Sequence, residues 1–167
     1  MKNSTKILTF NAVVAALYIV LTMPFMSISF QALQLRVAES LTILPCVLPF
    51  SVWGIFLGCV VSNIVSPFGI ADIVFGSLIT LVAGFATSKI KNIFLAPLPP
   101  VLLNAFGLPL IWFLIGAEEA YWFNVLSILA SQALVLYVLG IPVALFMKKI
   151  IAPKYFPDYL EKTNTIF

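Results

Sequence analysis

Long uncharged stretches dominate the chain: residues 7–30, 41–71, 73–88, 92–117 and 120–147 contain no Asp, Glu, Lys or Arg. Polar punctuation falls between them, at Arg36 and Glu39, at Asp72, and in "SKIKN" (88–92), "GAEEAYW" (116–122) and "FMKK" (146–149). Because about 20 apolar residues carry a helix across a bilayer, the pattern predicts repeated crossings. A first helix is expected from Ile7 to Met26, a fourth from Asp72 to "SKIKN", a fifth over Pro99–Ile115 and a sixth from the acidic pair to "FMKK".

Residues 38–71 must supply the second and third helices. As one straight helix this stretch would be about 50 Å long, against a hydrocarbon core of roughly 30 Å. The break is expected in "LPCVLPFSVWG" (44–54), near Pro49 and Ser51, giving two short spans or a re-entrant pair. Lysine placement supports the same count. With Lys2 and Lys6 inside, six spans also keep Lys89, Lys91, Lys148 and Lys149 inside, whereas a single crossing over 38–71 would send Lys89 and Lys91 out. The expected fold is thus an all-α integral membrane protein, a compact six-transmembrane-helix bundle with an outward-facing substrate pocket and both termini cytoplasmic. Arg36, Glu39, Asp72, Glu118 and Glu119 fall toward its outer side.

Composition agrees with a membrane setting: 62% of the residues are hydrophobic, 9% are charged, and the mean hydropathy is +1.14. No polar stretch is long enough for a separate soluble domain, so residues 1–167 are expected to form a single membrane-embedded substrate-binding domain. Cys46 and Cys59 lie inside apolar runs and suggest neither a disulfide nor a metal site. The absence of histidine removes imidazole-ligated zinc and any histidine base. There is no phosphate-binding loop and no nucleophile followed by an evident base, so neither catalytic residues nor a nucleic-acid partner are expected.

Polar groups at the edge of apolar helices are costly when they face lipid and normally turn toward the bundle or a wet cavity. Glu39, Asn63 and Asp72 therefore nominate a pocket. The competing reading pairs Arg36 with Glu39 one turn apart and lets Asp72 cap a helix. Asn104, Asn124 and Gln132 offer further donors and acceptors, or simply join neighbouring helices. Trp53 and Tyr18 can stack on a flat heterocycle or pack in the core, while Trp112, Trp122, Tyr121 and Phe113 suit an interfacial belt. Ala12 and Ala16, four apart in the first helix, allow close approach of another helix, either within the bundle or from a partner.

"LRVAESLTILP" (35–45), "GIFLGCVVSNIVSPFGIADIVFGSLITLVA" (54–83) and the Ala12/Ala16 pair resemble the queuosine-precursor S component (substrate-binding subunit) of an energy-coupling factor transporter, over roughly residues 7–150. The resemblance implies capture of a 7-deazaguanine, most simply 7-aminomethyl-7-deazaguanine. It also implies a transmembrane coupling protein met through Ala12 and Ala16, and two cytoplasmic ATPase subunits that would hold ATP and magnesium, with no cofactor on this chain. Residue chemistry makes Glu39 the first choice for reading a guanine-like edge and Asp72 the alternative. Asn63 would contact the carbonyl or pyrrole nitrogen, and Trp53 would cover the ring. The alternatives for the function are an S component for another small vitamin-like molecule and a small ion-coupled secondary transporter acting alone.

Overall fold

The structure is a computed structural model describing residues 3–25, 35–117 and 120–157, which are helical apart from short connections. Lys2, Met26, the acidic pair Glu118 and Glu119, and the tail charges Asp158, Glu161 and Lys162 lie outside the described residues. The α-helices are α1 (Asn3–Thr22), α2 (Val52–Asn63), α3 (Ser77–Ser88), α4 (Leu98–Leu114), α5 (Tyr121–Val135), α6 (Ile141–Phe146) and α7 (Ala152–Tyr155). Three π-helical turns, Asp72–Gly76, Leu136–Gly140 and Met147–Ile151, are inserted between them. Two of these join α5, α6 and α7 into one continuous run, so the last helix passes Lys148 and Lys149 and continues to Tyr155.

The middle of the fold is a ten-residue 3₁₀ helix, Val37–Cys46, whose residues Ala38 to Pro45 are all buried. Pro45 explains part of this winding: it lacks the N–H an α-helix would direct to Leu41, and its ring crowds that carbonyl. Thr42 adds to it by donating its hydroxyl to the Glu39 carbonyl at 2.7 Å. With three residues per turn, side chains three apart eclipse one another, so Glu39 and Thr42 form one polar column, and Arg36, the extended residue just before the helix, meets Glu39 from its start. The column ends at Val47, and Leu48 is non-helical (φ −128°, ψ 89°), as the residue before a proline is biased to be. This is the break expected between the second and third helices.

Apolar packing surrounds the column. Ile43 and Leu48 meet Leu136, Ala144 and Phe156 on one side, and Leu41 and Leu44 meet Val14, Tyr18 and Ile55 on the other. Glycine permits two close approaches. A Cβ at Gly54 would lie 2.6 Å from the Asn11 carbonyl, and one at Gly58 would lie 2.7 Å from Tyr18 Cβ, so α1 and α2 cross nearly backbone to backbone. Asn11 secures this crossing by accepting the Gly54 amide at 2.9 Å. Large apolar side chains such as Leu8, Val20, Leu57, Leu114, Trp122 and Leu126 face outward, while Arg36, Glu39, Asp72, Asn63, Asn104 and Gln132 lie inside. That is the reverse of a water-soluble domain.

The expected six-transmembrane-helix bundle is corrected by the helix lengths. Among the described residues two helices, Asn3–Thr22 and Tyr121–Tyr155, are long and apolar enough to cross a membrane. The other apolar helices, Val37–Cys46, Pro49–Asn63, Asp72–Ser88 and Leu98–Leu114, have 10–17 residues. Turns before Pro49, after Asn63 and around residues 89–97 cut the uncharged stretches into these shorter pieces. At 1.5 Å per residue even the longest of the four reaches only about 26 Å. The six-span, multi-pass localisation with both termini cytoplasmic falls with the count, because its lysine parity presumed six crossings.

Candidate functional site

Glu39 stands at the centre of the fold, 4% exposed, and three side chains from three helices, together with Arg36 from just before its own helix, converge on its carboxylate. Tyr18 of α1 donates its phenol to Oε1 at 2.5 Å. Gln132 of α5 and Asn104 of α4 both donate amide hydrogens to Oε2, at 3.0 and 3.4 Å. Arg36 Nη1 lies 3.8 Å from Oε1, the ion pair expected from the three-residue spacing. Burial opposes the charge on Arg36, and the acidic groups around it, Glu39 among them, more than offset this, holding its guanidinium above its ordinary pKa.

Arg36 connects this centre to a second one. Its Nη1 also donates to Asn63 Oδ1 at 3.2 Å. The Asn63 amide nitrogen in turn reaches the Asp72 carbonyl at 2.9 Å, Ser77 Oγ at 3.2 Å and Cys59 Sγ at 3.4 Å. Asp72 makes no side-chain cap for its helix. Its carboxylate accepts Trp112 Nε1 on Oδ1 at 2.8 Å and the Ser66 hydroxyl on Oδ2 at 2.5 Å. Ser66 also accepts the Phe68 amide at 3.2 Å, and the Phe68 ring stacks on Trp112 with centroids 4.2 Å apart and planes at 13°. The connection between α2 and Asp72 is thereby strapped across α4.

The sequence-predicted residues separate into four places. Glu39, Asn104 and Gln132 share one hydrogen-bonded centre, and Asn63 and Asp72 share the adjoining one. Trp53 lies apart, 53% exposed on α2 and edge-on to Phe85. Ala12 and Ala16 are exposed on α1 rather than packed inside. Tyr18 is fully buried in the core, one of the two places the sequence suggested for it, and in addition enters the site as a hydrogen-bond donor to Glu39. Trp112, 2% exposed, belongs to the Asp72 centre and not to an interfacial belt. Ser66 and Ser77 were not singled out by the sequence, which contains nothing to distinguish them from other serines.

An arrangement of this kind can bind a polar, planar molecule, because a buried carboxylate served by side-chain amides offers a two-point acceptor whose present donors are exchangeable. In this form the amides fill that place. An open cavity of about 610 Å³, lined by Leu110, Phe113, Tyr121 and Trp122 among others, lies at the turn between α4 and α5, and none of its lining residues hydrogen-bonds Glu39 or Asp72.

Residues 8–149 match the QueT transporter family, which is linked to queuosine-precursor transport. No curated protein and no solved structure matches the chain. The family match carries the precursor-transport part of the resemblance. It does not carry the energy-coupling factor S-component assignment, whose six spans the fold lacks.

Proposed function

The chain belongs to the QueT transporter family, and from that premise we propose that it carries a 7-deazaguanine precursor of queuosine, with Glu39 reading the guanine-like edge. As a member of a transporter family it is not an enzyme. The observation that carries the reading is the convergence of the Gln132 and Asn104 N–H donors on Glu39 Oε2, deep in the fold. A guanine edge presents adjacent N–H donors of the same kind, so a base can take over the carboxylate as the Gln132 amide withdraws, with Asn104 remaining on Oε2. Asn63 and Gln132 then remain within the connected centres to serve the ring's acceptors, and Asp72 forms the neighbouring wall.

Charge favours the aminomethyl compound. Arg36, Glu39 and Asp72 sum formally to one negative charge across the two joined centres. A cationic aminomethyl group compensates that charge, which is valuable where burial weakens solvent screening, and a neutral cyano group does not. The test is binding by the purified chain across 7-aminomethyl-7-deazaguanine, its 7-cyano counterpart, guanine, thiamine and riboflavin. Saturable binding is expected for the aminomethyl compound, with the cyano compound weaker. A folded chain that binds none of them would leave the buried centres a purely structural core and sink the proposal.

Carriage by this chain alone, driven by an ion gradient, is one reading compatible with the transporter-family match. A second reading, an ATP-driven import with a transmembrane coupling protein and two ATPase subunits, is favoured by one observation: Ala12 and Ala16 are both exposed, one turn apart on α1. Vesicles containing only this chain separate the two. Ion-driven uptake of the labelled base supports the first, and uptake that appears only with added partners and ATP supports the second. In the latter case Ala12→Leu should impair assembly while leaving binding of the base within about twofold, because the residue faces away from the centre. Equal loss of assembly and binding would refute the docking role.

A further inference from the structure

Among the described residues, four buried side-chain polar atoms have no hydrogen-bond partner: Ser51 Oγ, Ser62 Oγ, Asn104 Oδ1 and Asn124 Nδ2. Only Asn104 among these residues hydrogen-bonds Glu39. Its amide cannot simply be reversed to relieve the vacancy. The NH₂ group faces the Glu39 carboxylate, and turning the side chain over would set its carbonyl oxygen against a carboxylate oxygen. Glu39 therefore holds the Asn104 carbonyl toward a place where, among the described residues, no donor stands, at 3% exposure. A buried acceptor left bare carries its full desolvation penalty, and such an atom calls for an explanation.

We propose that Asn104 is a specificity-determining residue, whose Oδ1 accepts a hydrogen of the exocyclic 2-amino group of the bound base. This rests on the Glu39 reading of the site and extends it. A guanine-type edge has three hydrogens to place, one on the ring nitrogen and two on the 2-amino group. The carboxylate takes the ring N–H and the nearer amino hydrogen. The second amino hydrogen points to the flank of the carboxylate, where Asn104 supplies an acceptor. A carboxylate oxygen has two lone pairs, so the Asn104 Nδ2 contact to Oε2 is compatible with the ligand. Bases that lack the 2-amino group leave both Oδ1 and part of Glu39 unpaired, and sites built around polar ligand groups reject such analogues strongly.

The experiment measures binding of 7-aminomethyl-7-deazaguanine and of its analogue without the 2-amino group, by the full-length wild type and by Asn104→Leu. Wild type should prefer the 2-amino compound by about a hundredfold, from two lost hydrogen bonds. Asn104→Leu should reduce that preference by roughly tenfold, since only the Glu39 contact to the amino group remains. Gln132→Leu should weaken binding of both compounds alike and so keep the preference. Without ligand, Asn104→Leu should melt near or moderately below the wild-type temperature, because it removes the bare acceptor together with one N–H donor to the Glu39 carboxylate. A preference unchanged in Asn104→Leu, or failure of that variant to fold, overturns the proposal. A wild type that binds both compounds equally defeats this inference alone, whereas one that binds neither defeats the reading of the site on which it rests.

Discussion

Glu39→Gln should weaken binding of 7-aminomethyl-7-deazaguanine by at least about a hundredfold, as expected when a buried charge-assisted contact is lost at two points. The same substitution should lower the stability of the ligand-free protein by about 3–5 kcal/mol, the cost of leaving one partner of a buried ion pair uncompensated. Both effects follow from the arrangement around the carboxylate. Arg36 is 7% exposed and loses its counter-charge 3.8 Å away, and the phenol of Tyr18 and the amides of Asn104 and Gln132 lose an acceptor that suits all three. Calorimetric titration and thermal melting in the same detergent check the two together. Near-wild-type binding by a folded Glu39→Gln protein would remove Glu39 from recognition. Unchanged stability would show that Arg36 is neutralised by another group.

The second large effect is expected from Gly58→Val. Even a Cβ at this position would stand 2.7 Å from Tyr18 Cβ and 3.0 Å from the Ala15 carbonyl, so α1 must move off α2. Overpacking of this kind costs about 1–3 kcal/mol or more. The displacement falls on the residue that donates to Glu39 Oε1, so affinity for the base should fall as well, although residue 58 touches no ligand. A matched control is available at Gly69, where φ is +57° but nothing stands within 4 Å of a Cβ. Gly69→Ala should cost only the local strain of a left-handed alanine, about 1 kcal/mol, and leave binding intact. Equal loss of affinity in both variants would argue against transmission through Tyr18.

Several parts of this organisation are legible in the order of residues. The break between the second and third helices was marked by Pro45 and Pro49, because proline acts through local sterics that need no knowledge of the rest of the fold. The Arg36–Glu39 pair was marked by its spacing, and both readings of Glu39, ion pair and pocket residue, are compatible with where it stands. Helix number and length were not legible. Hydropathy measures how far an apolar run extends, and it does not see that the run is turned after Asn63 or wound as 3₁₀ over Val37–Cys46. Partners distant in sequence were also out of reach. Tyr18 and Glu39 are 21 residues apart, and Trp112 and Asp72 are 40 apart. Nothing in either neighbourhood distinguishes a phenol or indole that meets a carboxylate from one that anchors in lipid. Asn104 and Gln132 were named from chemistry alone, and tertiary packing brings them both to Glu39.

The tight winding of Val37–Cys46 also acts as a rotational setting. A 3₁₀ helix advances about 120° per residue and an α-helix about 100°, so rewinding the two steps from Val37, which follows Arg36, to Glu39 would swing the Glu39 side chain about 40° around the axis relative to the start of the segment. The same change would shorten the ten residues by about 5 Å. With Asn63 gripping Arg36 on one side and Tyr18, Asn104 and Gln132 gripping Glu39 on the other, such a turn of the screw would loosen one grip or the other. The pitch of this one segment thus keeps the two buried centres in phase.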